Sequence, residues 1–471
     1  MPISDLITQT IVTGSAPLGL PSLLIPLCAA VLDTDQNTAW DAAYGADVDV
    51  VSLSPSTWSA ALLALGVVAG DDLYEALVDM HSQRLPDGRQ SAPDEILLAR
   101  RSTPVAMVRT VSFGTQADGD YTITINGSTF LTDGTGNTNA QIVTELVALV
   151  NADTSLPVTA ADGVGDTITL TADEAGVPFT SSVAHSTGNL TRITIATTTA
   201  NNGIGEDIAT WSAQDDRWTF LLETTRSHGV ITTAATTLAA LTRRRLLACQ
   251  TDDALAQDGG STLDLASLLG TPGLGLEDVI VVYHDNDDDF VDWALVGKVC
   301  GAGLPGDYGW VHVGLSSVSG LTASQLTSTA TLASKRYTWL EVYDATVPPT
   351  SSTRGGRTLG GDPADIVQLI MDLNLRIPVR IYERLRNGNV PYTGGEATVE
   401  AAIRGALAER TGPPGRGALV EGSIVVTVPP ASEQTAEDAL ARLYDGVTWA
   451  CTAHGRVERV SIIGTLSQGG E

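Results

Sequence analysis

The chain has 471 residues, 43% hydrophobic, 17% charged and only 5% aromatic, with 47 glycines. That length predicts two to four domains with ample core, and the glycine content predicts many turns. The formal charge of -29, from 55 acidic against 26 basic residues with lysine only at Lys298 and Lys335, repels phosphate backbones and argues against direct nucleic-acid binding.

Residues Ile3–Thr13 alternate and are β-prone, and Gly14 and Gly19 follow. Residues 1–22 therefore read either as an extended N-terminal arm or as an ordinary first strand. Leu18–Leu32 is apolar but broken by Pro21 and Pro26, with Asp5 where a signal peptide would carry a basic residue. No run reaches the roughly 18 apolar residues of a membrane span. The expectation is synthesis and folding in the cytoplasm, with no membrane insertion.

From Leu23 to Arg109 the pattern predicts a strand at Val48–Leu53, helices at Trp58–Val68 and Leu73–Gln83, and a strand at Glu95–Ala99, as in an α/β layer. The alternation resumes at Arg217 with strands at Trp218–Glu223, Arg245–Gln250 and Asp278–His284. Helices at Val230–Thr242, Leu263–Leu269 and Asp289–Cys300 come between and after them, so a mostly parallel sheet is expected. Residues 23–109 and 205–345 thus form one discontinuous α/β domain.

Residues 110–204 differ in composition, with Thr, Ser, Gly and Asn dominant. Tyr121–Ile125 alternates cleanly into Asn126-Gly127, a strong hairpin signal. With a helix at Ala140–Val150 and strands near Val158–Ala160, Thr167–Thr171, Phe179–Val183 and Arg192–Thr197, the block reads as an independent α+β or β-rich insert whose ends lie close together, or else as an extra β-layer packed into the main core.

After a strand at Tyr337–Tyr343, Asp362-Pro363 opens a long helix with Asp as N-cap and Pro at the first helical position. Its apolar residues are Ile366, Leu369, Ile370, Leu373, Ile377 and Ile381. A second helix at Ala397–Leu407, a strand at Ala418–Val428, a helix at Ser432–Leu443 and a strand at Trp449–Ala453 make residues 346–455 an α+β C-terminal domain. Residues 456–471 alternate and form a second candidate arm strand. The fold class is thus α/β and α+β multidomain: an α/β core layer, an inserted β-rich domain, an α+β C-terminal domain and terminal arms.

Chemistry is sparse. His284 to Asp289 resembles a calcium loop, but counting from Asp285 the sixth and twelfth positions are Phe290 and Val296 rather than Gly and Glu, so a turn with a helix N-cap fits better. The turn Thr224–Gly229 lacks GxGxxG, and Gly301–Gly309 lacks the Gly-Lys-Ser/Thr of a P-loop. Ser227 and His228 sit together without a GxSxG elbow. Cys28, Cys249, Cys300 and Cys451 are scattered, against zinc and against a disulfide framework. Arg243-Arg244-Arg245 reads either as dipole-stabilised residues at a helix end or as a contact for a neighbour's carboxylates. No catalytic residue, metal ligand or cofactor is expected.

Gly360-Gly361, Asp365-Ile366, Asp372-Leu373 and Pro391-Tyr392-Thr393 follow a strand and a Gly-rich loop and flank the long helix, with Leu321-Thr322-Ala323-Ser324 upstream. In this order of elements the chain resembles, from about Arg217 onward, the sheath proteins of contractile phage tails. The resemblance implies a non-enzymatic subunit that forms stacked hexameric rings around an inner tail tube and contracts to drive the tube through the host envelope. It implies tail tube, baseplate and tail terminator proteins as partners, and a virion protein assembled in the bacterial cytoplasm. Arms in that family add strands to neighbouring subunits. Here these would be Ile7, Gln9, Ile11 and Val12, and Val457, Val460, Ile462 and Leu466, hinged at Gly14, Gly19 and Gly455. Arg376, Arg380, Arg384 and Arg386 on the long helix are the candidate tube-facing charges. The alternative is a baseplate or surface binding module that uses the insert to recognise glycans or a partner. A polysaccharide hydrolase would need two carboxylates facing across a cleft.

Overall fold

A computed structural model describes residues 24–85, 88–189, 191–270, 276–303, 306, 308–344, 350–387, 393–412, 417–435 and 446–454. The chain begins with β1 (Pro26–Val31), α1 (Thr34–Tyr44), β2 (Val50–Leu53), α2 (Trp58–Ala64), α3 (Asp72–His81) and β3 (Ile96–Arg101). It continues through β4 (Val108–Phe113), β5 (Asp120–Ile125), β6 (Ser128–Asp133), α4 (Asn139–Ala152), β7 (Val158–Gly163), β8 (Thr167–Ala172), β9 (Ser181–His185) and β10 (Ile193–Thr199). Next come α5 (Ile204–Gln214), β11 (Phe220–Glu223), α6 (His228–Ala239), β12 (Leu246–Thr251), α7 (Leu265–Leu269), β13 (Val279–Tyr283) and α8 (Val291–Cys300). The described elements end with α9 (Thr329–Ser334), β14 (Thr338–Asp344), β15 (Thr350–Arg354), α10 (Ala364–Asn387), α11 (Glu396–Ala408), β16 (Thr411–Gly412), β17 (Leu419–Val420), β18 (Val425–Thr427) and β19 (Thr448–Ala450).

An eight-stranded sheet in the order β15-β14-β13-β12-β11-β1-β3-β2 forms the main layer. The strands from β14 to β3 run parallel, and both edges, β15 and β2, are antiparallel. Central strands such as Val279–Tyr283 are buried at every residue, because helices cover both faces. On one face Leu62, Leu77, Trp293 and Leu295 from α2, α3 and α8 pack with Trp40 of α1. On the other, Ile208, Trp211, Ile231, Leu238 and Leu265 from α5, α6 and α7 form a second cluster. Helices α3 and α8 meet closely at Gly297, where a Cβ would fall 2.2 Å from the Met80 carbonyl oxygen.

Two helices lie where no helix is expected from the sequence. Helix α1 buries only Trp40, so it carries no apolar stripe; a capping box between Asp33 and Gln36 defines it instead. Helix α5 does bury Ile204, Ile208 and Trp211 on one face.

Strands β4 to β10 pair only among themselves, as a four-stranded sheet β10-β4-β8-β7 and a three-stranded sheet β6-β5-β9. Both sheets and α4 enclose one cluster containing Val111, Tyr121, Ile123, Leu146, Ile168 and Leu170. The Asn126-Gly127 turn has φ of 46° and 89°, the positive pair that a type I′ turn requires. At the foot of this insert the two chain crossings bridge each other, Val105 to Asn202. Gly176 and Gly203 touch there backbone to backbone, leaving no room for a side chain at 203.

The remainder differs from expectation in three respects. Strand β15 pairs with β14, so a domain boundary at residue 346 would divide one hairpin. Helix α10 starts at Ala364, one residue later than expected, and contains Pro378, which cannot donate to the carbonyl four residues back. It serves two cores: Ala364, Val367 and Met371 pack into the main layer, while Leu369, Leu373 and Ile377 pack against Val399, Ile403 and Leu407 of α11. The single strand expected over Ala418–Val428 is two, β17 and β18, broken at Gly422 with φ of 79°. Most of the helix expected at Ser432–Leu443 lies outside the described residues. Among the described residues no helix is long and apolar enough to cross a membrane.

Candidate functional site

Among the described residues the C-terminal unit ends in a two-stranded ribbon. Strands β18 and β19 are antiparallel, with Val425 opposite Ala450 and Val426 opposite Trp449. Val426 faces the α10–α11 cluster, whereas Val425 is 58% exposed. Among the described residues each strand pairs only with the other. A two-stranded ribbon is marginal alone, and its outer backbone groups are a template for a further strand. Beyond β19 the chain runs along β17: the Val420 amide donates to Thr452 O at 2.8 Å and the His454 amide to Ala418 O at 2.9 Å. The chain therefore leaves the described unit beside this ribbon. The expected arm residues Ile7, Gln9, Ile11, Val12, Val457, Val460, Ile462 and Leu466, and the hinges Gly14, Gly19 and Gly455, lie outside the described residues.

The four arginines expected to face a tube do not form one free set. Arg376 pairs with Asp372 at 3.0 Å and Glu409 at 2.9 Å, and Arg380 with Glu409 at 2.7 Å and Glu383 at 2.8 Å. Asp372 also holds Arg410, whose side chain is fully buried, at 3.0 Å. This network fastens α10 to α11, so charge reversal at 376 or 380 would disturb the fold as well as any contact. Arg384 is exposed. Arg386 closes α10 with a side chain outside the description. The Arg243–Arg245 run, expected at a helix end or facing a neighbour, is also engaged internally: Arg243 and Arg245 with Asp216, Arg244 with Asp278, and Arg245 stacked on Trp218.

In an open α/β sheet ligands enter where the strand order reverses, at the carboxyl ends of the strands. That place is here between β1 and β11, and the protein's own groups fill it. Glu174 of the insert accepts a hydrogen bond from Ser227 Oγ, so this serine is tied to a carboxylate while it caps α6. His228 instead faces Thr251 at 3.4 Å and Asp253 at 4.0 Å. Arg101 reaches across the end of β1 to Glu223. An open cleft of about 520 Å³ beside it is lined by Thr34, Asn37, Asp41, Asp49 and Arg100. Two of its donors are engaged within the chain: Asn37 with Leu32 O and Asp33 O, Arg100 with Asp41 and Asp49.

The loop after β13 is built as a turn, with a correction at its end. The N-cap of α8 is Phe290 rather than an aspartate, and it makes no side-chain cap bond. The cap comes from other elements: Asp79 Oδ2 accepts from the Phe290 amide at 3.1 Å and Gln250 Oε1 from the Val291 amide at 2.9 Å. Asp285 and Asp289 accept from Gln325 and the Ser319 amide.

No protein-family model matches the chain, and no curated protein matches it. The groups that sequence reasoning missed are buried charges. Arg101, Asp207 and Glu223 form one set, Arg226 and Asp292 another at 3.6 Å with Arg226 over the Phe290 ring. Burial pushes Asp292 up to about 6. Their partners come from separate segments, so no local pattern announces them.

Proposed function

We propose that the chain is the structural subunit of a contractile phage tail sheath, polymerising as stacked hexameric rings around a tail tube through strands lent by its terminal arms. The observation that carries this reading is the β18–β19 ribbon, open at its edges among the described residues and next to the point where the C-terminal segment departs. Added strands gain ladder hydrogen bonds without needing a preformed pocket. The charge distribution supports the same surface. Residues 346–471 carry 12 basic and 14 acidic side chains, whereas residues 1–345 carry 14 and 41. Copies meeting through the near-neutral C-terminal unit avoid most of the like-charge repulsion that other contacts would incur.

The test is deletion of residues 455–471 from the full chain, with negative-stain microscopy in the presence of a tail tube and sedimentation in its absence. The intact chain is expected to form tubes or six-fold rings, and the truncated chain to stay a folded monomer. Tubes from the truncated chain would remove the C-terminal arm from the assembly scheme. Monomers from both, with a tube present, would remove the sheath reading. Arg384→Glu is the charge reversal suited to testing tube contact, because Arg384 lies on the exposed side of α10.

A further inference from the structure

The foot of the insert is closed by a cluster with more negative than positive groups. Arg101 ends β3 just before the chain enters the insert, and Asp207 lies in the first turn of α5 just after the chain leaves it. Glu223 ends β11, on the far side of β1 from Arg101. Arg101 Nε is 3.6 Å from Asp207 Oδ2, and Arg101 Nη1 is 3.4 Å from Glu223 Oε1. The side chains are 3%, 4% and 5% exposed. Asp207 also accepts from the Ser102 amide at 3.2 and 3.3 Å, so one carboxylate holds the entering and the leaving chain together.

Two carboxylates share one guanidinium here, all three side chains nearly buried. Arg101 Nη2 and Glu223 Oε2 make no hydrogen bond among the described residues. Charged groups on the neighbouring elements are engaged elsewhere among the described residues, and Arg226, which follows β11, pairs with Asp292. The end of β1 is Ala30 and Val31; the ionisable side chain of α6, His228, faces Thr251 and Asp253; and Arg100 turns to Asp41 and Asp49. A buried site of net negative charge favours binding one proton. Burial accordingly pushes Glu223 up to about 7 and raises Asp207, desolvation outweighing the attraction of Arg101 in both.

We propose that Arg101, Asp207 and Glu223 form a proton-operated clasp that seats the insert on the core sheet: closed while one proton is held between the two carboxylates, and loosened as the charged groups draw in solvent when that proton is lost. This holds whether or not the chain is a sheath subunit. In the opened foot both carboxylates regain ordinary acidity, near 4. Opening therefore becomes easier as pH rises from about 5 to about 7, by up to about tenfold per pH unit for one proton, and levels off above that.

The test is hydrogen exchange of the full-length protein from pH 5 to pH 8, corrected for intrinsic exchange, at the amides of residues 102, 103, 105, 106 and 201–208. Wild-type protection is expected to fall between pH 5 and 7. In Glu223→Gln, isosteric and uncharged, protection should stay high and flat, and Asp207→Asn should flatten the profile as a second variant. Asp292→Asn, at a buried carboxylate elsewhere, should keep the wild-type slope. A wild-type profile without slope, or the same slope in Glu223→Gln and Asp207→Asn, would overturn the proposal.

Discussion

Asp372 joins two arginines that come from different parts of the chain. Arg376 lies one turn further along α10, within the reach that sequence spacing shows, whereas Arg410 follows α11 and is fully buried. Removing the carboxylate takes an ion pair from a buried guanidinium, and breaking a buried pair costs about 3–5 kcal/mol where it has been isolated in other proteins. Asp372→Ala is therefore expected to lower the urea midpoint strongly, and Arg384→Glu to leave it nearly unchanged. Equal midpoints would mean that the α10–α11 network contributes nothing to stability. Local caps were within reach of sequence reading in kind: Ser227 and Asp264 each accept from an amide three residues on. The cap of α8 was not, because Asp79 and Gln250 reach it only once α3 and β12 are in place.

The insert can be weighed as an element. Its hairpin was legible because Asn-Gly is one of the few pairs that adopt two successive positive φ values at low cost. Its seating was not, since it depends on Val105 meeting Asn202, and on Glu174 and Val177 reaching α6 and the cluster beneath. The paired crossings make residues 104–202 removable with a short Gly-Ser bridge. The excised protein is expected to retain near-UV circular dichroism and cooperative unfolding, with a loss on the order of 1–3 kcal/mol for the Val177 burial and the Ser227 bond. Loss of cooperativity would show that the insert and the core layer fold as one unit.

Across the whole molecule, buried carboxylates tie stability to pH. Burial raises Asp79 and Asp292 to about 6 and Glu223 to about 7, and raises Asp207 as well. Unfolded, these groups titrate near 4, so the folded state binds more protons between about pH 4 and 7, and stability falls as pH rises through that window. The net charge of -29 acts in the same direction, since self-repulsion grows as carboxylates ionise. At the acid end, Asp264 is opposite in sign: burial alone would raise it, but Lys335, Ser267 and Tyr337 hold it below its ordinary value, and that stability is lost as pH falls below about 4. The urea midpoint is therefore expected to be higher at pH 5.5 than at pH 8. A midpoint at pH 8 equal to or above that at pH 5.5 would contradict this account.

The sequence by itself determined what depends on neighbours a few residues apart. It determined the apolar runs that become β11, β12 and β13, the helical spacing of α4, α10 and α11, and the composition change that marks the insert. Each of these signals is a local period or a local backbone preference, and it survives in any tertiary setting. The tertiary structure alone decided the strand order, the antiparallel edges β2 and β15, and the division of α10 between two cores. It also decided that Arg376 and Arg380 share Glu409 at the end of α11, and that Arg101, Asp207 and Glu223 meet. These features rest on desolvation and ion pairing between segments far apart in the chain, which spacing along a sequence does not encode.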